Sequence, residues 1–239
     1  MYKRQGVVDA YLGDVPDNVE DMKFKHEGKE YNPVSFAKHL GLDMNNYVSL
    51  TSYTHHPFYS QFVLEVADNW AMRSSYNLPL EEFMMVMEES VKNGYTFAWG
   101  ADVSEKGFSF KNGLAIVPED EKTIQVKGKD NKHFSDAGAE KIANCFDEPV
   151  KELEITQKMR QEGFDSQETT DDHGMHVTGI VEDQKGTKYF IVKNSWGTDY
   201  NDCDGYFYAS FPYVAYKTMN IMIHKDAIPD AIKKKLSIK

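Results

Sequence analysis

The stretch Asp171-Asp172-His173-Gly174-Met175-His176-Val177-Thr178-Gly179, followed by Tyr189-Phe190-Ile191-Val192-Lys193-Asn194-Ser195-Trp196-Gly197-Thr198, decides how this chain is read. Both parts have strand character, and Asp183-Gln184-Lys185-Gly186 between them has turn composition. Paired strands would bring a histidine just before the first beside an asparagine ending the second. Their spacing of 21 residues suits two short strands and a turn.

An imidazole held by an amide serves thiol chemistry. A free cysteine has a pKa of about 8.5, so a neighbouring imidazolium is needed to stabilise the thiolate at neutral pH. The same imidazolium can then protonate a leaving amine. An amide oxygen that accepts from the other ring nitrogen fixes the orientation of the ring.

Four strand candidates, Met175–Glu182, Tyr189–Asn194, Gly205–Phe211 and Met219–His224, follow one another closely, which predicts antiparallel neighbours. Upstream, Leu80, Phe83, Met84, Met87 and Val91 fall at helical spacing, with Pro79 at the start and Gly94 at the stop. Such a methionine stripe reads as core. Tyr95 to Asp102 then reads as a strand, as does Tyr47 to Tyr53. Ser35 to Leu40 predicts a short helix ended by Gly41, while Tyr11-Leu12-Gly13, Val15-Pro16 and Asn32-Pro33 mark turns. Gly107 to Asp130 reads as irregular with short strands, and Phe134–Phe146 and Pro149–Gly163 as polar helices. The expected architecture is α+β, with helices covering a C-terminal antiparallel sheet or small barrel.

Composition narrows the function. The 239 residues carry a formal net charge of -11, which repels phosphate backbones, so no nucleic-acid partner is expected. The cluster Lys233, Lys234, Lys235 reads as a solvated helix end. No apolar run approaches the roughly 20 residues of a membrane span, and no membrane partner is expected. Two cysteines, Cys145 and Cys203, are too few for a disulfide framework. His173 and His176, with Asp171 and Asp172, have metal-ligating side chains, but strand alternation puts positions three apart on opposite faces. Neither a metal nor another cofactor is expected. His55 and His56, beside Pro57, read as a solvated turn.

Several blocks resemble one family. Lys193-Asn194-Ser195-Trp196-Gly197 with Gly205-Tyr206 is similar to the signature around the papain-superfamily asparagine. His173-Gly174-Met175 resembles the histidine segment of bleomycin hydrolases and aminopeptidases C. The run from Thr156 through Lys158, Arg160, Glu162 and Gly163 to His173 resembles the same subfamily, as does Leu42-Asp43-Met44-Asn45-Asn46-Tyr47-Val48-Ser49-Leu50. The resemblance extends from about Val7 to His224. It implies a papain-like cysteine peptidase in which His173 is the general base and acid and Asn194 its orienter. Trp196 would shield that pair from water, and Asp172 would border the cleft on the leaving-group side. It further implies peptide substrates, a homo-hexamer and a cytoplasmic location, with an exported or periplasmic one left open.

The family's nucleophile stands in a Gln…Cys-Trp context well upstream of the histidine, and neither cysteine here matches it. Cys145 precedes Phe146-Asp147-Glu148, and Cys203 lies between Asp202 and Asp204, whose carboxylates oppose thiolate formation. The expectation is that residues 6–239 are the C-terminal part of a peptidase whose cysteine lies in a missing N-terminal segment, so that these residues alone are inactive. Met1-Tyr2-Lys3-Arg4-Gln5 can be back-translated to the transposon end used in sequencing libraries, so residues 1–5 read as an assembly artefact, with a genuine basic start as the alternative. Ile228-Pro229-Asp230-Ala231-Ile232 corresponds to the start of the family's C-terminal arm, but the last residues of the chain read as a short basic helix. This leaves endopeptidase or dipeptide-releasing action open beside aminopeptidase action. The alternative from another class is a non-catalytic papain-like binding or scaffold protein keeping His173 and Asn194 as relics.

Overall fold

The computed structural model of the chain describes residues 19–124 and 144–238. The turns and termini expected over Met1–Gln5, Val7, Tyr11-Leu12-Gly13 and Val15-Pro16 lie outside these residues. So do the last part of Gly107–Asp130 and most of the helix expected for Phe134–Phe146. The chain divides into two compact units, residues 1–45 and 46–239.

In the first unit, β1 (Phe24–His26) and β2 (Lys29–Tyr31) form an antiparallel hairpin, followed by α1 (Pro33–Leu40). The helix starts two residues earlier than its apolar spacing predicts, because Asn32 is its cap. Asn32 Oδ1 accepts from Ser35 N at 2.7 Å, Ser35 Oγ accepts from Asn32 N at 2.9 Å, and Pro33 occupies the first turn. Gly41, at φ 68°, ends the helix as expected. Phe36 packs edge-on against Phe24 and Tyr31.

The second unit is built on a ten-stranded sheet. Its elements in chain order begin with β3 (Tyr47–Thr51), β4 (Gln61–Val63), β5 (Ser74–Asn77), α2 (Leu80–Lys92), β6 (Phe97–Ala101), β7 (Phe108–Ser109) and β8 (Leu114–Ala115). Then come α3 (Gln157–Asp165), β9 (His173–Glu182), β10 (Lys188–Lys193), β11 (Tyr206–Ser210), α4 (Phe211–Lys217), β12 (Thr218–His224) and α5 (Asp230–Leu236). The strands lie in the order β4-β5-β3-β12-β6-β9-β10-β11-β8-β7. The central pairings are antiparallel, whereas β3/β5 and β11/β8 are parallel. Among the described residues the sheet is mixed and does not close into a barrel.

The core follows from alternation on the strands and periodicity on the helices. Phe97, Trp99 and Ala101 of β6 and Met175 and Val177 of β9 face inward, together with Phe190, Val192, Phe207 and Ile221. The helix α2 adds Leu80, Phe83, Val86 and Met87, so the apolar stripe is core. No helix among the described residues is long and apolar enough to cross a membrane.

Three expectations are corrected. Pro149–Gly163 is not one helix: the helix begins at Gln157, with Thr156 as its cap. The preceding chain runs extended because Glu152 is committed elsewhere, accepting from Val117 N at 2.7 Å and from the Ser210 hydroxyl at 2.6 Å. Phe211 opens a helix instead of ending a strand, since Ser210 caps Tyr213 N and Pro212 fits the first turn. That helix carries the chain away from β11, so β12 pairs with β3 and β6, not with its predecessor.

The polar look of α3 also misleads, because Arg160 is wholly buried. Its guanidinium donates to Ser52 O at 2.7 Å and to Ala215 O at 3.0 Å, and lies 4.6 Å from the Tyr53 ring centroid. It thereby satisfies a carbonyl in the last turn of α4 and ties α3 to the end of β3.

Candidate active site

β9 pairs with β6 on one side and β10 on the other, which places His173 opposite Ala101 and His176 opposite Lys193. A bulge between Ile191 and Val192 adjusts the end of the β9–β10 ladder, and Asn194 follows β10 directly. The backbone of Asn194 donates to Gly205 O at 3.1 Å, which closes the loop that carries Ser195 and Trp196.

The geometry fixes the chemistry of the ring. Asn194 Oδ1 lies 2.7 Å from His173 Nε2 and also accepts the Ser195 N–H at 2.7 Å. A backbone N–H can only donate, so the atom it meets is the amide oxygen, and Nε2 must carry the hydrogen shared with it. The neutral ring therefore has its lone pair on Nδ1, the state required of a general base. Asn194 is 5% exposed, which shields this bond from water. Its Nδ2 has no partner among the described residues.

Trp196 lies against His173 in a tilted arrangement, with 4.9 Å between centroids and 30° between planes. Phe110 and Phe108 meet the indole edge-on at 5.2 and 5.8 Å. The structure thus brings His173 and Asn194 together, as their spacing predicts, and sets Trp196 against the imidazole ring. Asp172 is adjacent to them, but its Oδ1 accepts from Val103 N at 2.9 Å, fastening it to the segment after β6. Burial raises its carboxyl above the usual range, offset in part by that N–H. Asp171 is raised to about 6, first by burial and then by Asp68 and Asp172.

Two supporting residues carried no signal in the sequence. Asp102, 1% exposed, accepts Ser104 N through Oδ1 and Thr170 N through Oδ2, both at 2.8 Å, which sets the approach of the chain to His173. Asn201 braces the loop after Trp196. Their neighbours are remote in sequence, so no local pattern reveals them.

The thiols lie elsewhere. Cys145 is buried with Ile116, Ile124 and Phe146, and burial pushes it up to about 12. The Cys203 thiol is raised by burial and by Asp202 and Asp204, and its sulfur abuts Gly113, where an added Cβ would stand 2.8 Å away. Among the described residues no group of three or more His, Cys, Asp or Glu side chains is arranged to hold a metal. His55 and His56 do lie in an exposed turn, with their rings stacked on Phe164 and Phe62.

Comparison with known proteins agrees with this fold. Aminopeptidase G of Lactobacillus delbrueckii subsp. lactis is 24% identical over 220 residues, covering 88% of this chain and 44% of its own length. Aminopeptidase C of the same organism is 27% identical over 216 residues, covering 87% of this chain and 42% of its own. The chain therefore spans under half the length of these relatives. The crystal structure of PepW from Lactobacillus rhamnosis superposes with a TM-score of 0.64 at 18% identity, over 99% of this chain and 49% of that one. The family model for the Peptidase C1-like family matches residues 14–133 and 132–239, nearly all of the sequence. With its α+β fold and the placement of His173 beside Asn194, the chain belongs to the Peptidase C1-like family.

Proposed function

We propose that this chain carries the acid/base half of a cysteine peptidase of aminopeptidase type. The observation that supports this most directly is the double use of Asn194 Oδ1, which leaves Nδ1 of His173 as the basic nitrogen. A thiol supplied by a segment outside these residues gives its proton to Nδ1, and the thiolate adds to the carbonyl carbon of a peptide substrate. The imidazolium returns the proton to the leaving amine as the C–N bond breaks, which leaves a thioester. Water, deprotonated by Nδ1, adds to the thioester, and the proton returns to the departing thiolate. Asn194 holds the ring through both halves, and Trp196 keeps water from their hydrogen bond. Asp172 flanks the leaving-group side.

The test is to express residues 6–239 together with the segment encoded immediately upstream. The expected product contains a Gln…Cys-Trp helix and releases amines from aminoacyl substrates in a thiol-dependent reaction that His173→Ala abolishes. A folded product whose hydrolysis survives His173→Ala overturns the proposal. A promoter and start codon upstream of Gly6 favour the binding-protein reading instead.

A further inference from the structure

Trp196 lies against the His173 ring, yet it is 39% exposed, so burial alone does not hold it there. Its position is set by the pair of phenyl edges against it, and one of these is tied down by a side chain with no role in the acid/base chemistry. Asn201 Nδ2 donates to Phe110 O at 3.0 Å and to Tyr206 O at 2.7 Å, while Oδ1 accepts from Cys203 N and Gly205 N, both at 3.2 Å. That uses both donors and both lone pairs of the amide. It joins the turn between β7 and β8, which contains Phe110, to the loop that contains Trp196 and to the start of β11. The β7–β8 hairpin ends the sheet and meets β11 over two register pairs, so this junction needs bracing.

We propose that Asn201 is a positioning residue of the acid/base site: by holding the Phe110 backbone against the Ser195–Gly205 loop, it keeps Trp196 seated on the His173 ring. The chain of contact runs from the Asn201 amide to Phe110, from the Phe110 edge to the indole, and from the indole to the imidazole. Its catalytic meaning rests on the acid/base reading of His173. The contact itself can be measured without turnover.

Protonated imidazole quenches an indole that it touches, so the seat of Trp196 is legible in fluorescence against pH. The exposed indole of Trp70 is removed as Trp70→Phe, and buried Trp99 stays constant throughout. The step that belongs to His173 is the one lost in His173→Ala. Contributions from Asp172, Asp199, Asp202, Asp204 and Lys193 remain in both proteins and cancel. Asn201→Asp keeps the shape and the acceptors but removes both donors. The expected result is a several-fold smaller His173 step and faster quenching of Trp196 by acrylamide. Asn69→Asp is the control, because Asn69 braces a different loop through Leu64 O and Arg73 O; it should leave the step unchanged.

A folded Asn201→Asp protein with an unaltered step and unaltered acrylamide access overturns the proposal. Should that variant not fold, Phe110→Leu, which keeps the backbone acceptor and removes the edge contact, must show the same loss. The two readings fail separately. An unchanged step defeats the positioning role alone, whereas a peptidase that works without His173 defeats the acid/base reading while leaving the Asn201-dependent step intact.

Discussion

The N–H of Asn194 and the carbonyl of Gly205 meet at 3.1 Å, so the residue hydrogen-bonded to His173 is held by the far end of its own loop. Gly205 sits at φ 79°, and a Cβ there would lie 2.7 Å from Gly197 O. Gly205→Ala should therefore cost about 2 kcal/mol, measured as a lower urea midpoint at unchanged slope. The same substitution should weaken the seat of Asn194.

In the peptidase proposed above, His173→Ala would remove the base and the acid together, with an expected fall in kcat of about 10³ or more. Asn194→Ala removes a hydrogen bond to a ring that becomes charged, worth about 1.5–3 kcal/mol, so kcat/KM should drop roughly 10- to 100-fold. Steady-state kinetics on both variants check the order. Equal losses from both would contradict an orienting role for Asn194.

Asp171 supplies a pH signature. Its carboxyl is raised in the folded chain from the usual 3.8 to about 6, so in that interval the folded state binds more protons than the unfolded one. Stability must then fall as pH rises from 3.8 to about 6. Asp171→Asn should flatten this slope and stabilise the protein at neutral pH by about 1 kcal/mol, a value discounted because the carboxyl is partly solvated. Asp68→Asn should act in the same direction by removing a nearby like charge.

Arg160 is a buried cation whose hydrogen bonds go to carbonyls. Arg160→Met keeps much of the volume but leaves Ser52 O and Ala215 O without their donor, so a loss of about 2–4 kcal/mol is expected. Chemical denaturation measures it, and a variant as stable as the parent would show that water replaces the guanidinium.

Cys145 should be inert. A thiol pushed up to about 12 and buried in an apolar cluster reacts with iodoacetamide only when the chain opens. Its labelling rate should rise with urea in step with unfolding, whereas Cys203, partly exposed, should label slowly without urea.

Much of this was legible in the sequence where the signals were local. The β9–β10 pair, the helix from Leu80 and the stop at Gly41 follow from periodicity and turn residues, and the His173–Asn194 meeting follows from the pairing. The features that escaped depended on partners far along the chain. Glu152 turns a helical-looking stretch into an extended one because Ser210 and Val117 claim its carboxylate. Arg160 looks like a solvent-facing helix residue until Ser52 and Ala215 enclose it. Ser210 ahead of Pro212 did mark a helix start, but the apolar run through Phe211 masked it.

The strand order separates two demands on the site. β9, which bears His173, lies sixth of the ten strands and is paired on both sides, while Phe108 belongs to β7, the outermost strand at one end. Fraying begins at sheet edges and reaches interior strands last. Local melting of β7 would loosen the aromatic cover without displacing the imidazole beneath it. Hydrogen exchange should resolve the two as separate opening events, with the cover the earlier. Solvent would then reach the margin of the site while the strands that carry the imidazole stay paired.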